Sequence, residues 1–269
     1  MSQTTVAIAI FDIDGVVRDV GGSYRRALAD TVEAFTQGAY RPSVEEIDQL
    51  KAEGIWNNDW EASRELVYRY YESQRIPRES QTLDYQAVVA FFQSRYRGPD
   101  PDHWTGYICQ EPLLMQASYL EQLTEAGIGW GFFSGATRGS ATYVLEKRLG
   151  LRSPILVAME DAPGKPDPTG LLATLEQLDS TQTSANSPLP ALYIGDTVAD
   201  MRTVQNVRKL HPDRRWIGIG ILPPHAQSPA EYAENYAAKL TEAGADRVLK
   251  NVMELNTTLI RELIDTAIL

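Results

Sequence analysis

Residues 6–11 (VAIAIF) form an unbroken apolar run near the start of the chain. A strand without polar alternation is covered on both faces, which is typical of a central strand in a parallel sheet. Asp12, Asp14 and Gly15 follow, and residues two apart in an extended chain point to the same side. Because ligands of open α/β sheets bind outside the carboxyl ends of the strands, the pattern indicates a site here. An ordinary turn is the alternative, since Asp and Gly are common turn residues.

The chain after this strand changes from helical to alternating patterns. Residues 23–98 indicate no strand, and apolar residues recur at helical spacing over 23–36, 43–53, 58–73 and 82–96. Ser43 and Glu46 have the spacing of a capping box, and Thr82 is expected to cap the fourth helix.

From residue 113 on, predicted strands and helices alternate, and a last helix is predicted over 252–268. Such alternation implies right-handed crossovers and a parallel sheet. The sequence therefore predicts an α/β fold with a doubly wound, Rossmann-like core. Its predicted domains are residues 1–18 and 112–269 for the core and residues 19–111 for an inserted, all-helical cap domain.

Composition narrows the class of protein. The formal charge of −11 over 269 residues argues against general nucleic-acid binding, because phosphate contacts need a basic surface, but it allows a small anionic substrate. The single cysteine, Cys109, excludes an internal disulfide framework. No secretory signal or membrane-spanning run is visible, so the expectation is a cytoplasmic protein with no membrane partner.

Three later stretches place polar residues where a strand meets a helix. FFSG (132–135) ends in Ser134 and Gly135, whose hydroxyl and backbone N–H groups suit an anion, although Ser134 as a plain helix cap is equally common. GKPDP (164–168) holds Lys165 in a turn stiffened by proline. GDTVAD (195–200) places Asp196 and Asp200 on one face at a strand end, where oxygen ligands suit Mg²⁺.

Together and in this order, FDIDG (11–15) and these three stretches resemble the four motifs of the haloacid dehalogenase superfamily. The resemblance covers essentially the whole chain. The helical segment after the first motif resembles the mobile cap of the subgroup that contains phosphoglycolate phosphatases and β-phosphoglucomutases.

The resemblance implies a Mg²⁺-dependent phosphatase that acts on a small phosphorylated metabolite. Asp12 would be the nucleophile and form an aspartyl-phosphate, while Asp14 would serve as acid and then base. Ser134 and nearby amides such as that of Gly135 would hold phosphoryl oxygens, and Lys165 would neutralise charge. The metal ligands would be Asp12, the main-chain carbonyl of Asp14, Asp196 and, directly or through another ligand, Asp200. A phosphomutase and a catalytically silent metabolite-binding protein of the same fold remain alternatives.

Several positions outside the motifs have two interpretations. Arg18 and Arg138 could each contact a substrate anion or form a structural ion pair. Cap residues are expected to select the substrate, with Trp56, Asn57, Asn58, Asp59 and Trp60 the candidate substrate-binding residues. The alternative is that the two tryptophans are core anchors and that Asn58 or Asp59 caps the next helix. Residues 206–215 are longer and more basic than the family pattern, and the sequence offers no reason for this.

Overall fold

The computed structural model describes residues 4–56, 58–180 and 188–266. They form two compact units: one holds the described residues up to Asp19 and from Leu113 on, and the other spans Val20–Pro112. The predicted fold class, a doubly wound α/β core with an inserted all-helical domain, is confirmed. None of the helices in the described ranges has both the length and the apolar character needed to cross a membrane.

The unit Val20–Pro112 contains helices and no strand among its described residues. Its α-helices are α1 (Tyr24–Phe35), α2 (Val44–Ala52), α3 (Asp59–Ser73) and α4 (Tyr85–Tyr96). The predicted capping box of α2 is confirmed, because Ser43 and Glu46 each accept the other's backbone N–H. The expectation that Thr82 caps α4 is wrong. Asp84 caps this helix by accepting the N–H of Gln86, since a carboxylate there also meets the positive end of the helix dipole.

The other unit is built on a six-stranded sheet whose neighbouring strands are all parallel. The strands are β1 (Ala7–Phe11), β2 (Ile128–Phe133), β3 (Leu156–Val157), β4 (Ala191–Gly195), β5 (Trp216–Ile221) and β6 (Arg247–Leu249). Their order is β3-β2-β1-β4-β5-β6, so the winding reverses between the central neighbours β1 and β4. The crevice at such a switch point is where doubly wound sheets bind ligands.

Six α-helices of this unit follow in chain order among the described residues. They are α5 (Ala117–Glu125), α6 (Arg138–Thr142), α7 (Thr169–Ser180), α8 (Val198–Leu210), α9 (Ala230–Glu242) and α10 (Thr257–Asp265). The single helix predicted over 252–268 is wrong. A short 3₁₀ turn, Val252–Glu254, comes first, and Asn256 then starts α10 by accepting two backbone N–H groups.

Helices cover β1 on both faces. Ile10 belongs to a core cluster with Leu171 of α7 and Val204 of α8. On the opposite face, the ring of Phe11 lies edge-on to that of Tyr119 in α5, with centroids 6.2 Å apart. This two-sided burial is the physical reason for the apolar run without polar alternation.

Candidate active site

Acidic side chains converge at the carboxyl ends of β1 and β4, on the two sides of the switch point. Asp12 follows β1 and Asp196 follows β4, while Asp200 lies in the first turn of α8. One oxygen from each of the three carboxylates lies within 4.8 Å of the others, and all three residues are buried. The structure thus brings together three of the predicted site residues from two separate stretches of chain.

Lys165 lies among these carboxylates. Its Nζ is 2.9 Å from Oδ2 of Asp12 and 2.7 Å from Oδ1 of Asp200. The rings of Phe133 and Tyr193 have their centroids 5.1 and 5.5 Å from the same nitrogen. A buried ammonium is costly unless it is paired, and here two carboxylates and two aromatic faces compensate it.

Asp200 receives donors on both oxygens. Its Oδ1 accepts from the hydroxyl of Tyr193 at 2.9 Å in addition to Lys165, and its Oδ2 accepts from the N–H of Thr197 at 2.9 Å and from its Oγ1 at 2.6 Å. Thr197 and Asp200 also form the capping box of α8. The sequence interpretation missed both partners. The T-x-x-D spacing was a signal for Thr197, and Tyr193 is a hydroxyl-bearing residue inside an otherwise apolar strand.

Burial controls the charges of these groups. Desolvation raises the pKa of Asp12 to about 7, against the opposing charge of Lys165, and the negative charges of Asp200 and Asp14 add to the rise. Burial acts to lower the pKa of Lys165, but Asp12 and Asp200 outweigh it and the pKa is raised. Burial acts to raise the pKa of Asp200, but Lys165 and the Thr197 hydrogen bonds outweigh it and the pKa is lowered. Lys165 and Asp200 therefore remain charged at neutral pH.

The site fits a hard divalent cation. Three buried carboxylates lie close together, only two of them paired with Lys165, and carboxylate oxygens are the ligands that Mg²⁺ prefers. The backbone also makes room for them: Gly15 has φ +72°, and a Cβ there would lie 2.0 Å from Oδ2 of Asp196. A Cβ at Gly195 would likewise lie 2.4 Å from the side chain of Asp200. Only glycine permits such close approach of backbone to carboxylate.

Asp14 is engaged by Arg18. The Nε of Arg18 donates to Oδ1 of Asp14 at 2.6 Å, and Arg18 is fully buried. The backbones of these two residues form a β-bridge, and Arg18 also bridges to Leu113. The structure therefore shows the ion pair, one of the two interpretations of Arg18, and contact of Arg18 with a substrate anion stays a prediction. The carboxylate of Asp14 is not part of the cluster of Asp12, Asp196 and Asp200. The metal ligand predicted from Asp14 was its main-chain carbonyl, not its carboxylate.

Ser134 follows β2 and is buried, with half-buried Gly135 beside it. The Oγ of Ser134 accepts a hydrogen bond from the backbone N–H of Ala136 at 3.1 Å. The alternative that Ser134 is a plain helix cap is wrong, because α6 begins three residues after Gly135 and its N-cap is Thr137. Arg138 is exposed and pairs with Asp161, which is the structural alternative for this residue.

Arginines of the basic stretch 206–215 contact other parts of the α/β unit. Arg208 pairs with Asp246, and Arg214 pairs with Asp179 at 2.7 Å. Arg215 donates to the main-chain carbonyls of the last turn of α10, 2.6 Å from that of Ile264. Three arginines of this basic stretch therefore have structural partners far away along the chain.

The cap positions have local partners. Asn57 lies outside the described residues. Asn58 is the N-cap of α3, and its side-chain oxygen accepts two backbone N–H groups of the first turn. This is the capping role that was weighed against substrate binding. Half-buried Trp56 donates its indole N–H to Glu53 at 2.7 Å. A role of Trp56 or Asn58 in substrate selection stays a prediction.

The sequence matches a known protein family over most of its length. A family model described as haloacid dehalogenase-like hydrolase matches residues 6–208. A curated imidazoleglycerol-phosphate dehydratase from Phytophthora nicotianae is 28% identical over 251 residues, which cover 91% of this chain and 50% of that protein. The chain therefore spans about half the length of this curated relative.

Solved structures share the fold. A hydrolase from Pseudomonas syringae superposes with a TM-score of 0.60 at 19% identity, covering 97% of this chain and 99% of that one. Phosphatase Tt82 from Thermococcus thioreducens gives 0.61 at 22% identity, covering 79% and 92%. CbbY from Rhodobacter sphaeroides, solved in complex with phosphate, gives 0.61 at 18% identity, covering 94% and 96%.

Proposed function

Because the chain belongs to the haloacid dehalogenase-like hydrolases, we propose that it is a Mg²⁺-dependent phosphatase of a small phosphorylated metabolite. The observation that carries this proposal is the buried contact of Lys165 with Asp12, beside Asp196 and Asp200 at the switch point. Such a site suits a phosphate monoester, whose dianion needs positive charge before a carboxylate can approach it. The similar CbbY protein was also solved with xylulose-(1,5)-bisphosphate, which supports a phosphorylated metabolite as the substrate class.

The proposed reaction has two steps. In the first, a carboxylate oxygen of Asp12 forms a bond to phosphorus, the bond from phosphorus to the ester oxygen breaks, and Asp14 gives that oxygen a proton. In the second, Asp14 takes a proton from water, whose oxygen attacks the aspartyl-phosphate and releases inorganic phosphate and free Asp12. Because Arg18 contacts Oδ1 of Asp14, we assign the proton transfers to Oδ2.

Other residues supply charge and hydrogen bonds. Lys165 offsets the negative charge of Asp12 and the phosphoryl group, while Ser134 and the N–H of Gly135 hold phosphoryl oxygens. Mg²⁺ would be held by Asp12, Asp196 and the main-chain carbonyl of Asp14. When bound, it supplies positive charge that lowers the repulsion between carboxylate and phosphate.

The test is phosphate release from sugar phosphates, phosphoglycolate, nucleotides and p-nitrophenyl phosphate, with Mg²⁺ and with a chelator. We expect metal-dependent release by the wild type and by Asp179→Asn, a control in an ion pair outside the site. Release should be lost in Asp12→Asn. Release that persists in Asp12→Asn or in chelator would contradict the proposal. Isomerisation of a sugar phosphate without net release would indicate the phosphomutase, and binding without turnover would indicate the silent protein.

A further inference from the structure

Tyr193 has no part in the reaction proposed above, although it contacts both Asp200 and Lys165. Its side chain is fully buried in β4, and its ring lies 6.0 Å from that of Phe133 between centroids. A phenolic hydroxyl costs free energy in such surroundings unless it is hydrogen-bonded. Phenylalanine would fill nearly the same space without this cost, so the hydroxyl itself requires an explanation.

The hydroxyl contacts one group, the carboxylate of Asp200, at 2.9 Å. An ionised carboxylate has about four acceptor positions. On Asp200 they are used by the Tyr193 hydroxyl and Lys165 on one oxygen and by two donors of Thr197 on the other. Four donors from three parts of the chain therefore hold the plane of this carboxylate.

The arrangement decides where the ammonium of Lys165 lies. Lys165 shares Oδ1 of Asp200 with Tyr193 and reaches Oδ2 of Asp12 at 2.9 Å on its other side. A hydrogen bond from Tyr193 offsets part of the negative charge of Asp200, so Asp200 attracts the ammonium of Lys165 less strongly. Lys165 then stays between Asp12 and Asp200. Without the hydroxyl, the ammonium would move towards Asp200 and away from Asp12.

We infer that Tyr193 is a positioning residue, whose hydroxyl acts through Asp200 to hold the Lys165 ammonium against Asp12. The effect on turnover rests on the proposed function, whereas the effect on Lys165 does not. Asp200 then serves the lysine, and the side-chain ligands of the metal ion are Asp12 and Asp196.

The first test needs no substrate. The ammonium signal of Lys165 is recorded by NMR in metal-free protein and assigned with Lys165→Met. We expect Tyr193→Phe to shift this signal and to speed its hydrogen exchange. Tyr119→Phe is the matched control, because Tyr119 is also buried and donates its hydroxyl to the carbonyl of Leu255 at 2.8 Å, outside the site. An unchanged Lys165 signal in folded Tyr193→Phe would overturn the inference.

The second test separates the lysine from the metal ion. Loss of a supporting hydrogen bond typically costs about 10-fold to 100-fold, so we expect Tyr193→Phe to lower kcat about tenfold with KM nearly unchanged. Calorimetry with Mg²⁺ alone should give wild-type affinity for Tyr193→Phe and a loss of about tenfold or more for Asp196→Asn. A wild-type kcat, or a loss of Mg²⁺ affinity equal to that of Asp196→Asn, would overturn the inference. If the wild type releases no phosphate, the proposed function fails, and the Lys165 signal still decides the role of Tyr193.

Discussion

Each of the two units buries charged side chains, but the two clusters differ in their balance. In the helical unit, Arg25 and Asp48 form an ion pair of one cation and one anion, and both side chains are buried. In the α/β unit, three buried carboxylates cluster, and Lys165 pairs with two of them, Asp12 and Asp200. A balanced buried pair requires no further ion, whereas an excess of buried negative charge indicates a place for a cation or a ligand. The comparison therefore separates a structural cluster from a candidate catalytic one.

The largest expected effect comes from neutralising Asp12, the proposed nucleophile in the unbalanced cluster. Asp12→Asn should lower phosphate release by at least about 10³-fold, because the attacking oxygen is lost. Its free energy of unfolding should be equal to or higher than that of the wild type, since burial opposes the charge on Asp12. Denaturant titration of metal-free protein checks this. A clear loss of stability would show that Asp12 is held as a structural ion.

The matching change in the Arg25–Asp48 pair should lower stability and leave kcat unchanged. Asp48→Asn removes the negative charge that pairs with the buried guanidinium of Arg25 and should lower the free energy of unfolding by about 3–5 kcal/mol. Its kcat should be unchanged below the melting temperature. The double change Arg25→Met with Asp48→Leu should recover most of the stability, because no buried charge remains. If the double variant is as unstable as Asp48→Asn, packing and not charge explains the loss.

A smaller effect is expected from filling the space beside Asp196. Gly15→Ala places a methyl group where Oδ2 of Asp196 lies, and its φ of +72° adds backbone strain. The control Gly150→Ala has φ +81° and nothing within 4 Å of the added Cβ. Gly150→Ala should lose about 1–2 kcal/mol of stability through backbone strain, and Gly15→Ala should lose more because the clash with Asp196 adds to the strain. Only Gly15→Ala should also weaken Mg²⁺ binding, by about tenfold. Equal Mg²⁺ affinities in calorimetry would contradict the proposed metal site.

The smallest effect is expected where charges are paired at the surface. Arg69 donates to Glu53, both side chains are more than a third exposed, and these hydrogen bonds lower the pKa of Glu53. A lowered carboxyl pKa contributes stability above its ordinary value near 4.3, and this contribution is lost as pH falls through the lowered pKa. Glu53→Gln should therefore cost less than about 1 kcal/mol at pH 7 and nothing in strong acid. A cost that persists in acid would show that charge is not its source.

Local signals in the sequence were sufficient to predict the fold and to indicate where the candidate site lies. The apolar run of β1 and the polar residues after each strand depend only on neighbouring positions. Parallel strands bring their carboxyl ends to one edge, so Asp12, Lys165 and Asp196 could be expected near one another. The capping box of α2 was predictable for the same local reason.

Side-chain partners that depend on how separate elements pack could not be predicted. The ion pair of Arg214 with Asp179 depends on how α7 and the strand β5 are placed, and no local pattern encodes that distance. The hydrogen bond from the hydroxyl of Tyr193 to Asp200 depends on how the first turn of α8 is placed relative to β4. For Arg18, charge alone allowed two roles. The structure shows a buried ion pair with Asp14, and contact with a substrate anion stays a prediction.

The most direct test of the central claim is to trap the phosphoryl group on the protein. Wild-type enzyme is mixed with Mg²⁺ and the compound from which it releases phosphate fastest, quenched in acid within one turnover, digested and analysed by mass spectrometry. We predict one added phosphoryl group on the peptide that contains Asp12, and none on that peptide in Asp12→Asn. A phosphoryl group on another residue, or turnover without any labelled peptide, would contradict the assignment of Asp12 as the nucleophile.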